Sequence, residues 1–420
     1  MFKFSFLIAF IAAFSLLVGC ATYQSNVSPA RDHLTGGRCP EALQLLQTES
    51  DKVNGDQLVY LLDYGTALQI CGDYKKSSKI FQQADKVSEE VDYHSASRLA
   101  GATLLNEEMI QYKGDTFEKL FINAAAALNY LEMGEPDDAM VEVRRINEKF
   151  NKLNSENKKK FELNSFSQYL SGLIYESQKR YDDACISYKS SYEIDSTYRT
   201  VGLDMLRGCW LARRTQEFEG LVKKVGATEQ EIKMIKQKNK NEVMIVFMQG
   251  WGPRKAPRPG ERTIPYLIPT PSVTKSLQAE VSTGGESAAV TKYVSQPIYN
   301  VEKAAIQTLE DDHAALIARR IGARVAKEVV ADQVRQKDQL LGTLAWVAMI
   351  ASERADLRQW STLPQTIQVI HMPMPSGPYK IKLTGLSGSN SSSETWPDID
   401  ATSANTQSSH KKIFLVRSLK

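Results

Sequence analysis

Histidine is scarce in this chain. Five occur in 420 residues, at His33, His94, His313, His371 and His410, and none are spaced as H-x-x-x-H or H-E-x-x-H. A histidine-built zinc site is therefore not expected. Glu310-Asp311-Asp312-His313 groups four ligand-type side chains, but consecutive helical residues point in different directions, so the run reads as a solvated helix face. An excess of one charge is lacking too: 52 Lys and Arg against 49 Asp and Glu leave a formal balance of +3. No long-range field would collect nucleic acid. The apolar run Leu340 to Ala351 is twelve residues long, short of the roughly twenty that span a bilayer.

Patterns for covalent or phosphate chemistry are equally thin. Ser272-Val273-Thr274-Lys275 fits S-x-x-K, yet neither S-D-N nor K-T-G follows, and Lys382-Leu383-Thr384-Gly385 only approaches the latter. Gly250-x-Gly252 follows a strand without the later glycine and helix start that phosphate binding uses. Arg254, Lys255, Arg258 and Arg262 form a proline-rich basic loop; an exposed loop is the plain reading, and contact with lipid phosphate or cell-wall polymer is the alternative. The expectation is a non-enzyme with no catalytic residues, no metal and no cofactor.

What is present begins at the amino terminus. Lys3 supplies a short cationic start, Phe4 to Val18 is apolar apart from Ser5 and Ser15, and Leu17-Val18-Gly19-Cys20 follows. The first two parts are those of a secretory signal. The last four residues resemble the bacterial lipobox, which implies cleavage after Gly19 and acylation of Cys20. Residues 1–19 are then a signal peptide and 20–37, with no period, a membrane tether. Ala21 and Thr22 stand where inner-membrane lipoproteins usually carry Asp, so the expected address is the outer membrane, periplasmic face.

From Cys39 to about Gly226 apolar residues recur at three and four, the period of amphipathic helices. Leu61, Gly65, Leu68, Gly72, Tyr74, Phe81 and Ala84 stand at the spacings of the tetratricopeptide signature, with Ser77 where Ala is preferred. Ala127, Tyr130, Gly134, Ala139 and Val143 resemble a second unit; Gly172, Tyr175, Tyr181, Ala184 and Tyr188 resemble a third. Their anchors are unevenly spaced, so residues 38–230 are expected to form an irregular array. Its inner surface would either receive a peptide or partner domain, or pack against the second domain.

Cys39, Cys71, Cys185 and Cys209 remain beyond Cys20, without a C-x-x-C pair. In an exported chain they are either disulfides or buried thiols. On the repeat register, Cys39 with Cys71 and Cys185 with Cys209 are the preferred pairs.

A polar run from Lys233 to Asn241 marks the boundary, after which the period changes to that of strands. Residues 242–420 read as a mixed β-sandwich, with strands expected at Glu242 to Gln249, Arg262 to Pro269, Thr291 to Ile298, Gln365 to His371, Tyr379 to Leu383 and Ile413 to Leu419. Gly385 to Ser409 reads as a long loop. A helical insertion at about 300–360 places Ile317, Ile321, Val325 and Val329 one turn apart. Its second helix, Leu340 to Ala351, is either buried against the sandwich or free for a membrane surface or partner.

Ala355-Asp356-Leu357-Arg358-Gln359-Trp360-Ser361-Thr362-Leu363-Pro364, with Pro373-Met374-Pro375-Ser376-Gly377, Phe414-Leu415-Val416-Arg417-Ser418 and Gly250-Trp251-Gly252-Pro253, resembles the carboxyl-terminal signature of a family of uncharacterised tetratricopeptide lipoproteins of Gram-negative bacteria. Members often lie beside lipoproteins that activate penicillin-binding proteins, which implies a role around cell-wall synthesis. From the residues alone, Asp356 and Arg358 would cap or pair, Trp360 would plug the sandwich end, and Leu363-Pro364 would turn helix into strand. The expected class is α+β, and the expected function a periplasm-facing scaffold or adaptor with an envelope protein partner. A cell-wall-binding or cell-wall-processing module and a component of an export or surface-structure assembly are the alternatives.

Overall fold

The computed structural model describes residues 23–98, 111–237, 241–283, 290–351, 353–374, 378–401 and 411–420. Leu17, Val18, Gly19 and Cys20 lie outside them, as do His410 and the side chain of His94.

Helix begins at once, inside the stretch that composition assigns to a tether. Tyr23–Thr35 (α1) carries Tyr23, Val27, Ala30 and Leu34 on one stripe, all buried. That stripe outweighs Pro29 and the polar residues around it, so the tether reading is corrected to a docked helix.

Ten helices follow: Cys39–Ser50 (α2), Gln57–Ile70 (α3), Tyr74–Arg98 (α4), Thr116–Glu132 (α5), Pro136–Ser155 (α6), Ser165–Ser177 (α7), Tyr181–Ile194 (α8), Arg199–Leu211 (α9), Thr215–Val225 (α10) and Glu229–Lys236 (α11). The tetratricopeptide-like hairpins are α3/α4, α5/α6 and α7/α8. Glycine is required where they close: a Cβ on Gly65 would sit 2.7 Å from the Phe81 ring, and one on Gly172 2.7 Å from Tyr188. Ser77 is explained by its hydroxyl, which donates to Gly65 O at 2.7 Å and accepts from Asn129 Nδ2 at 2.8 Å, tying one hairpin to the next. Disulfides join Cys39 to Cys71, with Cα atoms 5.9 Å apart, and Cys185 to Cys209, 4.6 Å apart.

The second half contains Asn241–Gln249 (β1), Arg254–Arg258 (β2), Glu261–Ile268 (β3), Thr274–Thr283 (β4), Val290–Val294 (β5), Gln296–Asn300 (β6), Val301–Arg335 (α12), Gln339–Ala351 (α13), Thr366–Met374 (β7), Tyr379–Ser387 (β8), Ser392–Ala401 (β9) and Lys412–Arg417 (β10). Sheet orders are β10-β1-β7-β6, β5-β4-β8-β9 and the pair β2-β3. β1 runs parallel to β10 and antiparallel to β7, so the larger arrangement is mixed, and the fold is α+β.

Alternation along β1 divides the molecule into layers. Val243, Ile245 and Phe247 point at Leu277, Ala279 and Ile381 of the other sheet, whereas Met244, Val246 and Met248 join the core of the helical array. The helices, the first sheet and the second sheet therefore stack with two separate cores. This is why β1 is apolar on both faces.

Three expected segments are corrected. The basic loop at Arg254 to Arg262 is the hairpin β2/β3. The strand expected over Thr291 to Ile298 is two strands, because the chain switches sheets at Ser295, whose hydroxyl donates to Gln368 Oε1. The loop expected over Gly385 to Ser409 contains the end of β8 and all of β9, an edge strand with Ser392, Thr395, Asp398 and Asp400 exposed; residues 402–410 lie outside the described set.

The insertion leaves the sheet after β6 and returns at β7, its root closed by Glu302 N–H donating to Gln365 O at 3.2 Å. α13 turns back along α12, with Gly342 against Arg335. It does not bury itself on the sandwich: Leu340, Leu341 and Val347 are half or more exposed.

Candidate functional site

The helical array already holds an extended segment, and it belongs to the same chain. Residues 353–364 form no helix and cross the face made by α1, α3 and α5. Trp360 is 2% exposed, and its ring lies between Phe81 at 5.8 Å and Phe121, edge-on, at 5.5 Å. Its indole N–H donates to Thr66 Oγ1 at 2.8 Å and its backbone N–H to Glu118 Oε1 at 2.9 Å. Thr362 donates through both N–H and Oγ1 to Asp63 Oδ1, at 3.0 and 2.9 Å. The Tyr23 hydroxyl donates to Asp63 Oδ2, with Ser361 Oγ 2.8 Å away. Arg358 bonds Asp356 Oδ2 and Asp56 Oδ1, each at 2.8 Å, and lies over Tyr112. The sequence-based expectation that Trp360 plugs the sandwich is thus corrected: it plugs the array.

Two carboxyls on this seam are driven up by burial, Asp63 to about 7 and Glu118 to about 7. Donors around each oppose the shift without cancelling it. Glu118 accepts from the Tyr112 hydroxyl at 2.6 Å and from the Asp115 N–H at 3.0 Å.

A second polar cluster locks the far end of the array to the sheet. Glu176 (α7), Asp204 and Arg207 (α9), Glu242 (β1), His371 (β7) and Lys411 meet there. Arg207 pairs with Glu242 at 2.6 Å and Glu176 at 3.1 Å; Lys411 pairs with the same two at 3.0 and 3.2 Å. His371 Nε2 is 2.9 Å from Asp204 Oδ2, which also accepts from the Tyr169 hydroxyl at 2.6 Å. Burial opposes protonation of His371, but Asp204 outweighs it and the imidazole is raised above its ordinary value. Burial likewise pushes Asp204 up, yet His371 and Arg207 hold it at about 2. Three carboxylates face two fixed cations, and the excess negative charge favours the protonated form of His371.

Between the array and the two sheets lies a cleft of about 560 Å³. Leu34, Ile70 and Tyr74 line it from the helices, and Trp396, Phe414 and Leu415 from the strands. One wall is the outer edge of β10, the terminal strand of its sheet. Trp396 Nε1 caps that edge by donating to Arg417 O at 3.1 Å, and Glu132 caps it by accepting from Leu415 N–H. Arg417 shares the Trp251 ring with Arg31, their guanidinium carbons 5.1 and 4.8 Å from its centroid. Burial, then Arg31, brings Arg417 down to about 9.

The other sequence candidates lie apart. Ser272 is buried and donates to Thr274 O at 2.8 Å, whereas Lys275 is exposed at the start of a strand; no helical turn relates them. Gly252 N–H donates to Leu363 O at 2.8 Å, so Gly250 and Gly252 serve the strand crossing. Lys255 Nζ donates to Arg358 O at 3.0 Å, and Arg258 meets His313 at 3.0 Å. Among the described residues no three His, Cys, Asp or Glu gather in a way that would hold a metal ion. Sequence reading missed Asp63, Glu118 and Tyr23. Asp63 carried a signal, a carboxyl within the apolar helix Gln57–Ile70; the His371 cluster carried none, because its members come from five separate segments.

No known protein family matches the sequence, and none of the curated proteins is similar to it. Solved structures are similar to half of the chain. They include MamA of strain AMB-1 (14% identity, TM-score 0.30, 50% of this chain and 96% of that one) and MamA from Desulfovibrio magneticus RS-1 (14%, 0.30, 50% and 94%). A kinesin light chain-like repeat protein of Podosopora anserina is similar at 13% identity and TM-score 0.33, over 50% of this chain and 96% of its own.

Proposed function

We propose that this chain is a lipid-anchored adaptor of the Gram-negative envelope, acylated at Cys20 after cleavage behind Gly19, facing the periplasm from the outer membrane, and linked to cell-wall assembly. Stacked helical hairpins offer extended surfaces to protein partners. The inner face at α3 and α5 is filled by the chain's own residues 353–364, so the partner is held elsewhere. The observation that carries the reading is the cleft beside β10: its walls mix apolar side chains (Leu34, Ile70, Tyr74, Trp396, Phe414, Leu415) with charged ones (Glu132, Glu394, Asp398, Arg417, Lys420), the composition of a protein interface, and its volume suits a few side chains of a docked polypeptide.

The test places a photo-crosslinking amino acid at Tyr74 or Phe414 in living cells. One envelope protein captured from both positions, and not from exposed Leu45, is the expected result. Crosslinks to glycan strands alone, or none at all, would remove the adaptor reading in favour of a wall-binding module or neither. Membrane attachment is tested separately: wild-type chain takes up labelled palmitate and Cys20→Ser does not.

A further inference from the structure

Sixteen large apolar side chains are exposed among the described residues, and nine of them sit on the α12/α13 arm: Ile317, Ile321, Val325 and Val329 on α12, and Leu340, Leu341, Leu344, Trp346 and Val347 on α13. Exposure reaches 67% at Leu340 and 60% at Val325. The first part of α12 lies on its own molecule through Val301, Ala304, Thr308 and Leu316. Arg320 still donates to Arg354 O at 2.9 Å, and residues 321–335 run on beside α13, about 22 Å at 1.5 Å per residue. Buried Lys327 of α12 donates to Met349 O of α13 at 3.4 Å and pairs with Glu353, just past the end of α13, at 3.1 Å, so the arm is a built element with one face finished and the other open. Two helices cannot enclose a core; four can.

We propose that the arm pairs with the arm of a second copy of this chain, as an antiparallel four-helix assembly. Area and charge select this occupant. Nine side chains at roughly 80 Å² each offer about 700 Å² per copy, close to the roughly 800 Å² per partner of a specific interface. Along α12 the balance of charge changes sign: Arg319 and Arg324, the latter also 3.3 Å from Glu353, precede Val325, and Glu328 and Asp332, which share Arg335 within the helix at 2.7 and 3.0 Å, follow it with one negative charge in excess. A two-fold axis near Val325 lays the basic stretch of one helix beside the acidic stretch of the other and sets Ile321 against Val329; parallel pairing would set like on like. Exposed Lys337 and Asp338 at the turn, with the charges on α12, make the same surface a poor match for acyl chains, where each buried charge is costly. The antiparallel arrangement also keeps the two bodies at opposite ends of the projecting helices.

Sedimentation equilibrium of the chain from Ala21 to Lys420, which keeps every described residue and carries no acyl group, tests the pairing independently of Cys20 and of the cleft. A dimer at micromolar concentration is expected. Ile321→Glu with Val325→Glu weakens it at least about 100-fold while leaving the circular dichroism spectrum and melting temperature in place, since both side chains are exposed. Val325→Cys crosslinks to its own copy under oxidation, and Leu45→Cys does not. A monomer at every concentration, or a dimer indifferent to the double substitution, overturns the proposal. So does flotation with phosphatidylglycerol-containing vesicles, or a stoichiometric complex with a different protein, that the double substitution abolishes while the chain itself stays monomeric.

Discussion

Trp360 is the single side chain on which the two halves depend most. Truncation to Ala would remove two ring contacts, empty a site 2% exposed and remove the hydrogen bond that Thr66 Oγ1 accepts, a loss of about 3–5 kcal/mol in denaturant unfolding. Asp63 sets the pH response of the same seam. It titrates at about 7 in the folded chain against an ordinary 3.8, and Glu118 at about 7 against 4.5. The folded state therefore holds extra protons. The stability they confer is complete below the ordinary values and is lost as pH rises through 7. His371, raised above 6.5, acts in the same sense, losing its contribution as pH rises through its folded value. Asp204 and Glu242, both lowered, act oppositely, but only as acid is added below their ordinary range. Melting temperature should consequently fall between about pH 5 and pH 8. Asp63→Asn should flatten that slope, because the amide keeps an acceptor for Thr362 and carries no charge. An unchanged slope in the variant would show that the seam does not set it.

At the scale of elements, the two disulfides differ in access though not in what they do to the unfolded chain. They close loops of 32 and 24 residues, each restricting the unfolded ensemble by about 3–4 kcal/mol. Cys185 and Cys209 are fully buried, whereas Cys39 and Cys71 are partly exposed. Mild reductant should open Cys39–Cys71 first, read by alkylation and mass spectrometry. Gly65→Ala should cost about 1–3 kcal/mol by driving a methyl into Phe81. These hairpins were legible because their signals are local: the small residue, the turn glycine and the packing ring lie within seventeen residues of one another. α1 was not, since Ser, Asn, Pro and Arg between its four buried residues masked the stripe. β9 was hidden for the converse reason, a strand wet enough to read as a loop. The docking of 353–364 was out of reach altogether, because Asp63 and Thr362 are 299 positions apart and nothing near either names the other.

On the whole-molecule scale, three layers are held together by the middle sheet, and its central apolar strand has a late partner. β1 at Asn241–Gln249 pairs on one side with β7 and on the other with β10, which ends at Arg417. Both neighbours are made more than a hundred residues after it. The helical array, whose last helix ends at Lys236, lacks only the filling of its inner face by residues 353–364 and is by contrast rich in short-range contacts and free to form early. Removing residues 412–420 should leave the array's thermal transition and abolish that of the sheets, with aggregation through the bared edge of β1, measured by calorimetry and light scattering. As the chain emerges amino terminus first, then, a greasy ribbon waits unpaired, shielded on one face only, by Met244, Val246 and Met248 resting on helices already in place. The repeat half thus doubles as an internal chaperone for the half that follows, and a lesion in its packing would surface as misassembly of strands it never hydrogen-bonds.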